Sequence, residues 1–315
     1  MGAREMRATT IAADYKETVQ QAMQAVEDAM HAVVNSEVSV LRDASRHILA
    51  AGGKRIRPRM LMLTYLALGG TDLEYAAPPA AAVELMHTAS VVHDDINDHG
   101  VLRRGRPSVN AIWGRTFALL TGDFLFTAVY QLLAPYKDLN VVLARAATAL
   151  VEGETLQAVA VKENNFTRDT YARIIGLKTA ALFQAAAEMG ARLAGASASQ
   201  VDALAQFGYN IGLAFQIVDD ILDITGDEAV LGKTAGIDID QGRGLASVSD
   251  DVQGGVSDVM ESIKKKLLTG DRLNQGREQA ESLVSMAIAY LDVLPDSPAK
   301  DELIALAEFA IRRNH

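Results

Sequence analysis

The residues with the clearest chemical potential are two clusters of aspartates that interrupt apolar stretches of the sequence. Each cluster has the spacing Asp-Asp-x-x-Asp among valine, isoleucine and leucine: Asp94, Asp95 and Asp98, and again Asp219, Asp220 and Asp223. On a helix, the outer two aspartates of a cluster are about 40° apart in phase and about 6 Å apart along the axis, so they project from one face. A solvated acidic face is the weaker interpretation, because the flanking residues are apolar and the pattern occurs twice. Carboxylate-rich oxygen ligation suits Mg²⁺, which often bridges to substrate phosphates, so two facing clusters suit a diphosphate.

Basic residues that could bind such an anion occur in two short segments. Residues 52–58 read Gly-Gly-Lys-Arg-Ile-Arg-Pro, a glycine turn followed by cations and a proline suited to a helix start. Helix N-termini and glycine-exposed amides bind anions, and Lys and Arg strengthen such sites. Arg103 and Arg104 follow the first acidic cluster, and His87 lies seven residues before Asp94, on nearly the same helical face. Each feature alone is also compatible with surface cations at a turn or a structural histidine.

The elements that must position these residues are predicted to be helices. Apolar residues spaced three and four apart recur at 18–50, 80–97, 110–133, 141–162 and 280–310, and most regularly at Leu204, Phe207, Ile211, Ala214, Val218 and Ile221. Strand-like alternation is nowhere sustained, and all seven prolines are expected between the apolar stripes. Residues 242–257, with four glycines, are expected to form a mobile loop. We therefore predict one all-α domain spanning residues 1–315.

Composition narrows the classes of function. The chain has a formal net charge of −10, which argues against general binding to nucleic acid or anionic lipid. The absence of cysteine excludes disulfides, thiolate nucleophiles and Cys-ligated zinc or iron–sulfur clusters, and it fits a reducing compartment. The N-terminus has no apolar core of a signal peptide, and no stretch approaches about 18 uninterrupted apolar residues, so no transmembrane helix is expected. These features predict a soluble, cytoplasmic protein.

The ordered set of motifs resembles the trans-isoprenyl (polyprenyl) diphosphate synthases, which are all-trans prenyltransferases. Each motif alone is weak, but their order between about Ala50 and Lys233 is specific, with a fainter match at 304–313. The matching motifs are Gly-Gly-Lys-Arg-Ile-Arg-Pro at 52–58, His87-Thr88, the Asp94 cluster, Arg103-Arg104-Gly105, Gly153-Glu154 with Gln157, Lys178-Thr179, Phe215-Gln216 with the Asp219 cluster, and Gly232-Lys233.

The resemblance implies a single-domain bundle of long helices around a central pocket, usually in a homodimer, with a role for each matching residue. Isopentenyl diphosphate is expected at Lys54, Arg57, His87 and Arg104. Several Mg²⁺ ions, bound with the allylic diphosphate, are expected at Asp94, Asp98 and Asp219, supported by Asp95, Asp220 and Asp223. The allylic diphosphate is expected at Arg103, Lys178, Thr179, Gln216 and Lys233. The six aspartates and Lys178 form the expected catalytic set.

The reaction implied by the resemblance needs no protein nucleophile. Metal ions and cations make the allylic diphosphate a leaving group, the double bond of isopentenyl diphosphate attacks the resulting cation, and a proton is then lost. In this family, bulky aromatics four or five residues before the first acidic cluster shorten the product. Here those positions are the small Ser90 and Ala89. We therefore expect products of C20 or longer, and Ala89→Phe is expected to shorten them toward C15.

One departure from the family pattern keeps an alternative open. The family usually has a second Gly-Lys and a Thr-x-Pro segment after Lys233, but residues 241–248 read Gln-Gly-Arg-Gly-Leu-Ala-Ser-Val. A partner-dependent or non-catalytic subunit of a heteromeric synthase is therefore the main alternative, although such subunits typically lose aspartates. A class I terpene cyclase would normally lack the second aspartate cluster, and a metal phosphohydrolase built on His93 and Asp94 would leave that cluster unexplained.

Overall fold

The computed structural model describes residues 3–163, 165, 167–225 and 271–312. Lys233, the departure at 241–248 and the predicted loop at 242–257 lie outside the described residues. The elements, in chain order, are α1 (Ala3–Val33), α2 (Ser39–Ala50), α3 (Ile56–Ala67), α4 (Leu73–Asn97), β1 (Leu102–Arg103), β2 (Arg106–Pro107), α5 (Val109–Leu133), α6 (Lys137–Lys162), α7 (Arg168–Ile175), a π-helical turn (Gly176–Ala180), α8 (Ala181–Leu193), α9 (Ala198–Thr225), α10 (Asp271–Tyr290), a 3₁₀ turn (Leu291–Val293) and α11 (Pro298–Ile311). The predicted all-α class is confirmed, with one small antiparallel hairpin added.

Two pairs of long helices form the centre of the bundle. α4 packs along α5, and α8 packs along α9, while α3 lies against α8 and α10 lies against α9. The apolar stripe predicted for α9 is buried against these neighbours, and Leu204, Phe207 and Ile211 have no exposed surface. One apolar cluster fills the space around α4 and α5, and a second surrounds α8 and α9. The two acidic clusters therefore lie on core helices at the C-terminal ends of α4 and α9.

Two of the predicted stripes are each divided into separate helices. The stripe at 18–50 is interrupted between α1 and α2, where the backbone amide of Val38 donates to the hydroxyl of Ser36. The stripe at 280–310 is interrupted between α10 and α11, and Ser297 caps α11 by accepting from the backbone amide of Lys300. Proline at the first position of α11 is compatible with a helix start because no intrahelical donor is needed there.

The prediction that prolines lie between helices is wrong for Pro78 and Pro79, which lie inside α4. Proline has no N–H, so Pro79 cannot donate to the carbonyl of Tyr75 one turn earlier. The hydroxyl of Tyr136, the residue that precedes α6, donates to that carbonyl at 2.7 Å. A tertiary contact thus replaces one of the hydrogen bonds that the prolines remove, and α4 continues to the first acidic cluster.

The hairpin between α4 and α5 carries two of the predicted anion-binding arginines. Arg104 and Gly105 form its turn in left-handed conformations, with φ of 52° and 73°. His47 of α2 contacts the carbonyl of Pro107 at 2.8 Å, and Ser108 caps α5 by accepting from the amide of Ala111 at 3.1 Å. These contacts hold the hairpin over the end of α4.

Among the described residues, α5 is the one helix long and apolar enough to cross a membrane by length and composition. About 39% of its most apolar window is buried inside the protein. A core helix of a soluble bundle passes the same test, and α5 packs extensively along α4. The apolar residues of α5 therefore lie partly in the bundle interior and partly on an exposed face.

Candidate active site

A cavity of about 470 Å³ opens among α3, α4, the hairpin, α6, the π-helical turn and α9. Eleven of the residues singled out in the sequence lie on its wall: Lys54, Arg57, His87, Ser90, Asp94, Arg103, Arg104, Lys178, Thr179, Gln216 and Asp219. Asp95, Asp98, Asp220 and Asp223 belong to the same two clusters but do not line the cavity. Ala89 is fully buried and is likewise absent from the wall. The structure therefore brings together parts of the chain that are more than 150 residues apart.

The first acidic cluster has one carboxylate in the cavity and one that holds the hairpin. Burial raises the pKa of Asp94 to about 7, with Glu154 and Asp98 reinforcing the shift and Lys178 opposing it. Asp95 is buried and accepts two hydrogen bonds from the Arg103 guanidinium on a single oxygen, at 2.5 and 3.0 Å. Asp95 thus positions Arg103. Asp94 faces the cavity, where additional positive charge would stabilise its ionised form.

The second acidic cluster is connected to the π-helical turn by a chain of hydrogen bonds. The Thr179 hydroxyl donates to the Gln216 side-chain oxygen at 2.7 Å, and the Gln216 amide donates to Asp220 at 2.8 Å. Tyr171 completes the chain by donating to the other oxygen of Asp220 at 2.7 Å. Asp220 therefore fixes the orientation of Gln216, while Asp219 faces the cavity.

A basic subsite lies on the same wall. Arg57 and Arg104 are close to His87 there, and the Arg57 guanidinium lies 4.4 Å from the centre of the Phe183 ring. Lys54 also lines the cavity, with its ammonium 5.4 Å from the centre of the Phe309 ring. Burial lowers the pKa of Arg57 to about 10, so it remains charged at neutral pH. Burial, reinforced by the nearby arginines, lowers the pKa of His87 well below its usual value, so the imidazole is neutral. The subsite offers several cationic donors and one neutral ring to an anion.

Two residues that the sequence reasoning did not assign organise this basic subsite. Arg55, at φ 47°, pairs with Glu27 at 2.7 Å and with the buried Glu84 at 3.0 Å. Its guanidinium also donates to the carbonyl of Leu49 at 3.2 Å. Arg55 therefore anchors the glycine turn to α1 and α4. No sequence signal marked Glu84, which stands in an alanine-rich stretch.

Lys178 and Thr179 reach the cavity from the π-helical turn. The Lys178 ammonium pairs with Glu154 and donates to the Gln157 side-chain oxygen at 3.1 Å. Glu154 also lines the cavity, although the sequence analysis quoted it only as part of a motif. The ion pair places a cation near the Asp94 carboxylate.

The carboxylates suit Mg²⁺ only when further oxygen ligands are supplied. Asp94 and Asp219 line one cavity from separate helices, with Asp98 near Asp94. Among the described residues, no three His, Asp or Glu side chains converge into a ready-made metal site. Mg²⁺ commonly binds one or two carboxylates together with phosphate oxygens. The arrangement therefore fits metal ions that bind with a diphosphate.

The two residues expected to govern product length have different surroundings. Ser90 lines the cavity one turn below Asp94, and its hydroxyl donates to the His87 carbonyl at 2.8 Å. Ala89 has no exposed surface and packs in the core. Leu150, Leu182 and Phe215 add apolar surface to the cavity wall. The wall thus continues below the acidic clusters as an apolar surface with a small residue at Ser90.

Comparison with known proteins agrees with this geometry. Residues 38–266 match the family model described as polyprenyl synthetase, which covers well over half of the chain. The chain belongs to the polyprenyl synthetase family. Membership confirms the resemblance drawn from the motifs and the prediction of an enzyme that transfers prenyl groups.

Relatives of similar identity within this family carry names for products of different lengths. Octaprenyl diphosphate synthase of Escherichia coli is 33% identical over 95% of this chain and 98% of its own. Geranylgeranyl diphosphate synthase of Methanosarcina mazei is 34% identical over 87% and 90%. Heptaprenyl diphosphate synthase component 2 of Geobacillus stearothermophilus is 37% identical over 92% and 95%.

A solved structure in the family is also similar over nearly the whole chain. The polyprenyl synthase of Caulobacter crescentus, complexed with calcium and isoprenyl diphosphate, has a TM-score of 0.86 at 33% identity. The match covers 93% of this chain and 95% of that one. The helical bundle described above is therefore the fold of the family.

Proposed function

We propose that this protein is a Mg²⁺-dependent synthase that condenses isopentenyl diphosphate with an allylic diphosphate. The product is an all-trans polyprenyl diphosphate of C20 or longer. One observation carries the proposal: Asp94 and Asp219 face the same cavity as the basic subsite of Lys54, Arg57, His87 and Arg104. Such a cavity can hold two diphosphates with different partners, one at the carboxylates and one at the cations. The calcium and isoprenyl diphosphate bound to the Caulobacter enzyme support the same chemistry.

The two substrates are assigned by the charge of the groups that would hold them. Isopentenyl diphosphate is assigned to the basic subsite, where charge-assisted hydrogen bonds need no metal. The allylic diphosphate is assigned to the aspartates, with Arg103, Lys178, Thr179 and Gln216, and with Lys233 from outside the described residues. Asp94, Asp98 and Asp219 would hold Mg²⁺, which when bound would neutralise the leaving diphosphate.

The chain's own residues orient the substrates and stabilise developing charge. Lys178 and Arg103 stabilise the diphosphate as the allylic C–O bond breaks, since fixed cations act strongly in a buried site. The π electrons of isopentenyl diphosphate then form the new C–C bond, and the departing diphosphate takes the proton lost from the adjacent carbon. The alignment of the two reacting carbons is supplied by binding, not by a protein nucleophile.

A homodimer forms part of the proposal and is supported by exposed apolar surface on α5 and α6. On α5, Ile112, Phe117, Leu119 and Leu120 are each 44–48% exposed. On α6, Val141 and Val151 are about 60% exposed. Large contiguous apolar surface on a protein commonly marks an interface with another chain. A second copy would cover it, and the protein is expected to act as one domain per chain in the cytoplasm.

A partner-dependent subunit is the second candidate, favoured by a specific observation. One relative is named as component 2 of a heptaprenyl diphosphate synthase. The retained aspartates support a catalytic role for this chain even in such an assembly. The two candidates differ in whether the purified chain is active alone.

The test is to incubate the purified protein with Mg²⁺, isopentenyl diphosphate and C5, C10, C15 or C20 allylic primers in turn. Products are dephosphorylated and sized by mass spectrometry. A ladder that ends at C20 or beyond is expected, and Asp94→Ala should reduce turnover by more than about 100-fold because developing charge loses its ligand. Asp28→Ala, which removes an exposed carboxylate on α1, is the matched control and should remain active. Folded wild-type protein that elongates none of the primers would favour the partner-dependent candidate, and an Asp94→Ala variant with wild-type turnover would contradict the assigned site.

A further inference from the structure

The π-helical turn that carries Lys178 and Thr179 is enclosed by glycines on two neighbouring helices. A Cβ atom added to Gly153 of α6 would lie 2.6 Å from the backbone nitrogen of Lys178. A Cβ atom added to Gly212 of α9 would lie 2.6 Å from the Cα of Ala180. Real Cβ atoms do not approach backbone so closely, so alanine at either position would displace the turn. Both glycines stand inside long helices, where glycine is otherwise an unfavourable residue.

Each of these glycines is followed, one helical turn later, by a glutamine that holds a side chain of the same turn. Gln157 follows Gly153 by four residues and accepts from the Lys178 ammonium at 3.1 Å. Gln216 follows Gly212 by four residues and accepts from the Thr179 hydroxyl at 2.7 Å. Residues four apart lie on the same face of a helix. The pattern Gly-x-x-x-Gln therefore occurs on both sides of the turn, contacting its backbone with the glycine and its side chains with the glutamine.

The π-helical turn presents its two functional residues to different neighbouring helices. In an α-helix, adjacent side chains diverge by about 100°. Lys178 and Thr179 are adjacent in sequence, yet both line the cavity, and they contact opposite helices. π-helical turns recur at functional sites. The position of this turn between α6 and α9 therefore determines where both side chains meet a ligand.

We propose that Gly153 and Gly212, with Gln157, are positioning residues that set the placement of Lys178 and Thr179 for the allylic diphosphate. The inference rests on the proposed function, because it assigns a positioning device to the allylic subsite of that reaction. The glycines touch no substrate and act through the backbone of the turn.

The basic subsite is built on α3, α4 and the hairpin, and an added Gly153 Cβ would lie nearest to Leu177 and Lys178. An added Gly212 Cβ would also lie 3.1 Å from Phe183, whose ring underlies the Arg57 guanidinium. Gly153→Ala should therefore affect the allylic substrate alone, whereas Gly212→Ala also reaches a neighbour of the basic subsite.

Gly153→Ala and Gly212→Ala test the proposal against a matched control, the same substitution at a glycine of α8. Gly190→Ala is that control, because its added Cβ would meet the carbonyl oxygen of Leu61 even more closely, far from the turn. We expect kcat/KM for the allylic primer to fall on the order of 10- to 100-fold in the first two variants, since small misplacements have such effects. In Gly153→Ala, the KM for isopentenyl diphosphate should stay within about twofold of wild type, a change that lies inside ordinary surface effects. Gly190→Ala should lower the melting temperature without this split.

A second measurement separates positioning from general damage. In a Lys178→Ala background, Gly153→Ala should cause little further loss of kcat/KM, because residues that act through one group are not additive. Fully additive losses of kcat/KM, or an equal fall in kcat/KM for both substrates, would overturn the inference. Gln157→Met, which keeps the side-chain length but removes the acceptor, should raise the allylic KM with the isopentenyl diphosphate KM unchanged.

Binding measured without turnover distinguishes failure of the inference from failure of the proposed function. The probe is an allylic thiolodiphosphate, in which sulfur replaces the bridging oxygen, titrated calorimetrically with Mg²⁺ present. Wild-type protein should bind it, and Gly153→Ala should bind it more weakly than Gly190→Ala does. If wild type binds and both alanine variants bind equally well, the inference is wrong and the function stands. If wild type neither binds nor elongates, the proposed function is wrong and the inference falls with it.

Discussion

At the scale of single residues, the site combines groups whose charges are matched by their neighbours with one group that is kept neutral. Asp95 balances Arg103, and Glu84 balances Arg55, so these arginines are fixed before any ligand arrives. His87 is the exception, because burial and nearby arginines disfavour its imidazolium form. A neutral ring can both donate and accept, which suits contact with a diphosphate beside fixed cations.

The neutral state of His87 leads to a testable pH dependence of stability. Burial first, then Arg57, Arg104, Arg103 and Arg55, lowers its pKa in the folded state, whereas the unfolded chain binds the proton near pH 6.5. The free energy of unfolding should therefore fall as pH decreases below about 6.5, by up to about 1.4 kcal/mol per pH unit from this group. In denaturant titrations between pH 5 and 8, His87→Gln should reduce this slope.

The matched control for that experiment is His31→Gln, an identical change at an exposed position on α1. It should leave the slope as in wild type. A His87→Gln variant whose stability depends on pH as steeply as wild type would contradict the neutral assignment.

At the scale of elements, α4 illustrates a tertiary contact that replaces local hydrogen bonding. Tyr136→Phe removes the donor to the Tyr75 carbonyl that Pro79 leaves without its helical partner. The expected loss is about 1 kcal/mol in the free energy of unfolding, the usual value for one hydrogen bond. Because Pro79→Ala restores a backbone N–H, Tyr136→Phe should cost less in that background than in wild type. Equal costs in both backgrounds, measured by chemical denaturation, would contradict this account.

The chain-length prediction also belongs to α4. Ser90 lines the cavity one turn below Asp94, and one helical turn of about 5.4 Å approximates the length of an isoprene unit. Ser90→Phe should therefore shorten the product toward C15 in the primer assay, while Ser90→Ala should leave it unchanged. A full-length product from Ser90→Phe would contradict the placement of the growing chain. Ala89→Phe is the comparison, because Ala89 is buried and does not line the cavity. A shorter product from this variant would show that the growing chain passes Ala89, and an unchanged product length would show that it does not.

The same elements indicate what the sequence could predict and what it could not. Motif residues such as Asp94 and Lys54 were identifiable because their chemistry is unusual in an apolar or glycine-rich context. Glu84 and Arg55 were not assigned, because their role depends on a contact between helices that no local pattern records. Pro78 and Pro79 misled the prediction for a related reason: local rules disfavour proline in a helix, and the compensating Tyr136 lies 57 residues or more away. The π-helical turn depends on glycines in two other helices and could not be read from its own five residues.

At the scale of the whole molecule, the apolar face of α5 and α6 is the main apolar surface that the folding of one chain leaves exposed. On α6, the exposed stripe is uncharged over five turns, at Val141, Ala144, Thr148, Val151, Thr155 and Val159. Closed two-fold assemblies bury the same patch on both subunits, so every contact between two residues of the patch occurs twice. None of the exposed apolar residues of this surface lines the cavity.

The oligomeric state therefore makes the last prediction. Wild-type protein in analytical ultracentrifugation should have about twice the 33.7 kDa mass of one chain. Leu120→Glu puts a carboxylate into the apolar face of α5, where Leu120 is 47% exposed, and the cost of burying that charge should shift the protein toward monomers. Val38→Glu is the matched control, because Val38 is 54% exposed in the turn between α1 and α2, and it should leave the dimer intact. If wild type is a monomer, or if both variants behave alike, another partner must cover this face, and a heteromeric synthase becomes the better account of the chain.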